Sequence, residues 1–198
     1  MRADARDNRA RILAAADEVF GASGETASTE DVARLADVGI ATVFRHFPTK
    51  RDLLHAVFSA RLEALRDRAR ELASAPDPGA ALRTFFTEIV TTAPTKLAIA
   101  EALTNALTDA QATPATAPPR GAEDSGHLAG DELKEAFARL LERAQQAGAV
   151  RPDVAAPEVY ALMIGTSRAV AFARPDDDVR DRMIAVIFDG LRPVGGAG

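Results

Sequence analysis

The stretch from Ser28 to Asp52, STEDVARLADVGIATVFRHFPTKRD, leaves a folding chain few choices. Ser28 followed three residues on by Asp31 is an acidic capping box, which starts a helix by giving its orphan backbone N–H groups an acceptor. Val32, Leu35 and Ala36 supply a narrow inward face, and Asp37-Val38-Gly39 predicts a turn with Val38 plugging back into a small core. Val43, Phe44 and Phe47 fall at spacings of one helical face. Pro48 stops that second helix, and Thr49 with Asp52 repeats the capping pattern for a third.

Helices this short bury little by themselves, so a longer neighbour is required. Residues 9–20 provide it: Ile12, Ala15, Ala16, Val19 and Phe20 recur with helical period, and Gly24 closes the run. The unit is a helix-turn-helix with a supporting helix. Its second short helix begins Gly39-Ile40-Ala41-Thr42, a slim tip almost without long polar side chains. The major groove of DNA, about 12 Å wide, admits such a helix.

These residues carry a family resemblance. The matching elements are Arg9-x-x-Ile12-Leu13-x-Ala15-Ala16-x-x-Val19-Phe20-x-x-x-Gly24, then Val32-Ala33-x-x-Ala36-x-Val38. Next come Thr42-Val43-Phe44-Arg45-His46-Phe47-Pro48-Thr49-Lys50 and Leu53-Leu54. Residues 9–57 resemble the DNA-binding domain of the TetR (tetracycline-repressor-like) transcriptional regulators. The chain departs from the usual pattern, which has Gly at Asp37, a polar residue at Gly39, Gly at Ala41 and Tyr at Phe44. Phe44 lacks the phenol that usually reaches a phosphate, and Asp37 puts a negative charge close to where phosphates are expected.

The resemblance implies an all-α fold: a helix-turn-helix DNA-binding domain over residues 1–48 and a helical regulatory domain over 49–198. DNA-contact positions then fall on Thr29, Glu30, Gly39, Ile40, Ala41, Thr42, Phe44, Arg45, His46 and Lys50. Ile40 and Ala41 are apolar at an exposed tip and fit thymine methyl groups. Thr42 suits a phosphate or a base edge, and Arg45 a guanine or a phosphate. Phe44 either packs on sugar-phosphate or fills the core. Lys50 is either a phosphate clamp or a solvated surface lysine. Glu30 has to accept from cytosine N4 or stay clear of phosphate.

Charge argues for restraint. The chain holds 24 basic and 29 acidic residues, a net charge of −5, whereas nucleic-acid binders usually carry a basic patch. Through residue 60 there are eight Arg or Lys against nine Asp or Glu, so positive potential has to be local. Cysteine is absent, which removes disulfides and thiolate chemistry. The charged start MRADARDNRARIL has no apolar signal region, and no run reaches the length of a membrane helix. The expectation is a cytoplasmic protein with no membrane partner.

Beyond Lys50 the periodicity predicts helices from Lys50 to about Ala73, Pro78 to Thr92, Thr95 to Leu107 and Asp131 to Ala147. Residues 110–130 read as a loop. Two last helices follow, about Pro157–Phe172 and Asp177–Leu191, split by Arg174-Pro175. Both carry more apolar surface than one side of a helix buries, and Gly165-Thr166-Ser167 permits close helix approach. In the family the last two helices form a four-helix dimer interface, which places Leu162, Gly165, Met183, Ile184, Ile187 and Leu191 there; otherwise these helices pack within one subunit. Phe85, Phe86, Phe137, Tyr160 and Met163 either line the pocket for a small-molecule effector that the family implies or form ordinary core.

Catalytic and metal signals are missing. His46, His55 and His127 lack ligand spacing, and no nucleophile elbow or glycine-rich phosphate loop occurs. No cofactor is implied. The resulting expectation is a homodimeric repressor on an inverted-repeat operator, released by a small molecule. Its rival is a helical small-molecule or protein-binding module whose head has weakened or lost DNA affinity.

Overall fold

The computed structural model describes residues 2–23, 26–93 and 122–193, with side chains from Arg6 in the first stretch and from Gly130 in the last. Among these residues there are eight α-helices and no strand. They are α1 (Arg2–Ser23), α2 (Thr29–Leu35), α3 (Ile40–His46), α4 (Lys50–Leu72), α5 (Pro78–Thr91), α6 (Ala122–Gln146), α7 (Ala156–Ala173) and α8 (Asp177–Leu191). The chain divides into two compact units, Met1–Arg61 with Thr95–Leu128 and Leu62–Pro94 with Ala129–Gly198, and the division falls inside α4 and again inside α6.

The first unit is built on caps. Ser28 Oγ accepts from the Asp31 N–H at 3.1 Å while Asp31 holds the Ser28 hydroxyl at 2.7 Å, so α2 starts as its capping box predicts. Asp31 is thereby held below the usual carboxylate range, chiefly by the Ser28 hydrogen bond. Thr49 and Asp52 repeat the arrangement at α4, with bonds of 3.1 and 2.8 Å. Ile12, Ala16, Phe20, Val32, Val43, Phe47, Leu53 and Leu54 form one fully or nearly buried core, with Val38 packed against it. Leu35 departs from expectation: it is half exposed. A seven-residue helix between α1 and α3 has only about one side to bury, and Val32, Ala33 and Ala36 occupy it.

The turn between α2 and α3 is a Schellman close. Asp37 sits at φ 52, its N–H donates to the Arg34 carbonyl, and the Val38 N–H donates to the Ala33 carbonyl. That left-handed residue is where glycine is cheapest, and aspartate is among the few others that tolerate it. The Arg11 guanidinium donates to the Asp37 carbonyl at 2.8 Å and pins the turn to α1. Arg61 and Asp17 join α4 to α1.

The second unit closes around Leu82, Phe85, Phe86, Phe137, Leu140, Leu141, Val159 and Met163, all essentially inaccessible. Asp77 caps α5 by accepting from the Ala80 N–H at 2.9 Å, and Pro78 takes the first helical position, where no N–H is needed. Asp176 caps α8 in the same manner at 2.8 Å. Gly148, at φ 69, ends α6 in a second Schellman turn. The body part of α4 is held by ion pairs: Arg68 grips both oxygens of Glu88 on α5, and Arg66 meets Glu132 on α6 at 2.8 Å.

One expectation of chain organisation changes here. The loop predicted over 110–130 is helical from Ala122, because α6 extends backward from its amphipathic part once that nucleus exists. The helix expected from Thr95 to Leu107, residues 110–121 of the expected loop and the closing Gly24 lie outside the described residues.

Candidate nucleic-acid interface

α3 is fastened to the first unit by Val43 and by Phe47 at its end, both buried. The opposite face is therefore fixed outward. Gly39, Ala41 and Arg45 are exposed, Ile40 is 37% and Phe44 42% exposed, and Thr42 and His46 are half-buried. Phe44 thus resolves as a surface side chain rather than core. On α2, Glu30 is exposed while Thr29 is buried, its hydroxyl 3.3 Å from the Glu30 carboxylate. Gly39 has φ −69, and a Cβ there meets no atom within 4 Å, so neither backbone strain nor crowding within the protein calls for glycine.

Most basic side chains around this face are engaged inside the unit. Lys50 donates to the Ala27 carbonyl at 2.7 Å and lies 5.7 Å from the Phe20 ring centre. It ties the start of α4 to the segment before α2, which neither sequence reading of it anticipated. Arg9 stacks over Phe47 at 5.3 Å, and Arg34 pairs with Asp31 at 3.0 Å. Arg11, engaged at Asp37, carried no local signal because its partner is 26 residues away. Arg45 is exposed and has no ion pair or hydrogen bond among the described residues. Arg9, Arg11 and Lys50 thus serve as fasteners within the head, while Arg34 makes an exposed pair on its own helix.

A second face belongs to the second unit. Glu158, Ala161, Leu162, Gly165, Thr166 and Ala169 of α7 and Met183 of α8 line an open groove of about 690 Å³. Leu162 and Gly165 are exposed, Met183 and Ile187 half-buried; Ile184 and Leu191 sit inside the subunit's own core instead. Phe172, 93% exposed, and Val186, 71% exposed, extend the apolar surface along the same two helices. A Cβ on Gly165 meets nothing within 4 Å. Sequence reasoning missed Glu158, Ala161 and Ala169 because small or charged residues carry no periodic apolar signal.

The expected effector residues form the aromatic part of the core. Phe85 and Phe137 stand 6.2 Å apart, Phe137 and Tyr160 5.7 Å, and Phe86 meets Phe188 edge-on at 5.4 Å. Phe85, Phe86, Phe137 and Met163 are fully buried and Tyr160 half-buried. Ser167 Oγ, on α7, is buried and has no hydrogen-bond partner among the described residues. Among the described residues there is no metal-binding cluster and no helix long and apolar enough to cross a membrane.

Comparison with known proteins gives two family matches, one to each end of the chain. Residues 12–57 match the family model described as "Bacterial regulatory proteins, tetR family", and residues 77–193 match "Transcriptional regulator SbtR-like, C-terminal domain". A TetR transcription regulatory protein from Mycobacterium vanbaalenii is 34% identical with a TM-score of 0.73, covering 96% of this chain and 98% of that one. The TetR transcriptional regulator SCO0520 from Streptomyces coelicolor is 31% identical with a TM-score of 0.75, covering 94% and 99%. The HTH-type transcriptional regulator SAUSA300_2515 of Staphylococcus aureus (strain USA300) is 38% identical over 64 residues, 32% of this chain and 35% of that protein. The similarity thus spans about a third of that curated relative's length. With family matches to both parts and solved relatives above 30% identity over nearly their whole length, the chain belongs to the TetR family of DNA-binding, helix-turn-helix transcriptional regulators.

Proposed function

We propose that the protein is a cytoplasmic, ligand-responsive repressor that binds an inverted-repeat operator as a homodimer. The observation that carries this reading is the coexistence of two outward faces. One is the exposed side of α3, and the other is the apolar groove of α7 and α8. A twofold pair of heads requires half-sites about one helical turn or more apart.

The α7–α8 groove favours a second copy of this chain as its occupant. Small residues at Ala161, Gly165 and Ala169 let a partner helix approach closely, and Leu162, Phe172 and Val186 supply apolar area that water disfavours. In this reading Leu162, Gly165 and Met183 carry the contact, and Ile184 and Leu191 support it from behind.

Residues 49–198 form the regulatory part. An effector bound among its helices releases DNA only by favouring one arrangement of the heads over another, and its effect is bounded by that difference in affinity.

Footprinting on the DNA flanking the protein's own gene tests the reading: a protected, salt-sensitive inverted repeat is expected. One observation favours the rival, a helical binding module with lost DNA affinity: Asp37 adds a negative charge beside α3 and Phe44 offers no hydroxyl. Sedimentation with and without the protected fragment separates them, because the rival predicts no complex.

A further inference from the structure

We infer that α3 reads its operator mainly through thymine C5-methyl groups, contacted by Ile40, Ala41 and Phe44, with Arg45 as the one charged reader on that helix. This deepens the proposed operator binding and rests on it. Ile40 and Phe44 are one helical turn apart and so share a face, and both stand outward because Val43 and Phe47 hold the other side in the core. Ala41 is exposed beside Ile40. These side chains belong to the second helix of a helix-turn-helix, the element that enters the major groove.

Among base edges in that groove, only thymine offers an apolar group; the others display donors and acceptors. An isoleucine and a phenylalanine laid on guanine or cytosine edges strip those groups of water and return no hydrogen bond. Against thymine methyls the same side chains gain contact at no polar cost. The charge distribution points the same way. Of the polar side chains on α3, only Arg45 is exposed, while Thr42 and His46 are half-buried; around it Arg9, Arg11, Arg34 and Lys50 are engaged within the unit. Gly39 adds a smooth flank, since nothing inside the protein requires a glycine there.

The test uses the protected operator fragment, resynthesised with deoxyuridine in place of thymidine at one position at a time. This removes the methyl and keeps the base pair. Affinity is expected to fall about fourfold at each contacted thymine, the loss expected when one buried methyl-sized group is withdrawn. In Ile40→Ala the thymidine-to-deoxyuridine difference disappears at one position and persists elsewhere. Because Ile40 is exposed, this variant keeps its fold, which circular dichroism checks. If the wild-type protein binds every deoxyuridine operator as tightly as the parent while still discriminating it from unrelated DNA, methyl reading is overturned and operator binding stands. If no sequence-selective complex forms with the parent fragment, the underlying reading fails and takes this inference with it.

Discussion

The two exposed apolar faces of this chain are made in different ways. On α3 the face is seven residues long and rests on two buried anchors, Val43 and Phe47, with Ile40 and Phe44 standing outward. On α7 it runs over an 18-residue helix whose outward positions alternate small residues, Ala161, Gly165 and Ala169, with large ones, Leu162 and Phe172. A short helix with protruding side chains suits a groove lined by separate methyl groups. A long one with a recessed middle suits another helix. Equal hydrophobicity therefore says little about the partner; length and the placement of small residues decide it.

The largest expected effect tests the α7 face. Gly165→Leu is expected to leave the subunit intact, since a Cβ there meets no atom within 4 Å and glycine is about 0.5–1 kcal/mol worse than alanine inside a helix. It blocks close helix approach, so sedimentation should show monomers and operator affinity should fall about a hundredfold as bivalency is lost. Unchanged mass would break the contrast between the two faces.

Arg45→Ala tests the α3 face next. It should cost about 1–3 kcal/mol of binding and flatten preference at one base pair, as measured across operator variants. Lys50→Ala should weaken all variants alike and also lower the unfolding temperature, because its ammonium bonds the Ala27 carbonyl. If both substitutions lose equally across variants, Arg45 reads no base.

A third prediction concerns the cap that sets α2 under α3. Ser28→Ala should destabilise the head by about 0.5–2 kcal/mol near neutral pH. The Asp31 pKa lies below its ordinary 3.8 in the folded state, so its part in the cap is complete above that value and is lost as pH falls through the folded-state value. Asp31→Asn should therefore differ from wild type in thermal unfolding at pH 6 and converge with it on acidification toward pH 2. A gap that is constant over that range counts against the cap.

The smallest effect sharpens the comparison at the turn. Asp37→Gly relieves a left-handed residue and removes a negative charge beside α3. A gain of up to about 1 kcal/mol in stability is expected, with tighter operator binding at low salt. A loss of stability means the Asp37 side chain contributes a contact of its own.

Much of the first unit was legible because its signals are local. Ser28 with Asp31 and Thr49 with Asp52 lie three residues apart, and Pro48 acts on its own turn, so sequence spacing is spatial spacing. Leu35 fits a helical face as well as Val32 does, yet only Val32 has a neighbour to cover it. Ile184 and Leu191 share helical period with Ile187, and only the packing of α8 sends them inward. Arg11 and Lys50 look like surface cations until α1 and the segment before α2 come alongside.

The sequence by itself determined where the capped helices start, the helix-turn-helix and the family, because caps, prolines and apolar periods act within a turn or two of the chain. Tertiary structure decided which apolar residues remain outside and which cations remain available. Burial and pairing depend on what another helix brings within reach, often from tens of residues away, and no local pattern encodes that. The functional surface of this protein is the remainder: the side chains its own helices leave uncovered.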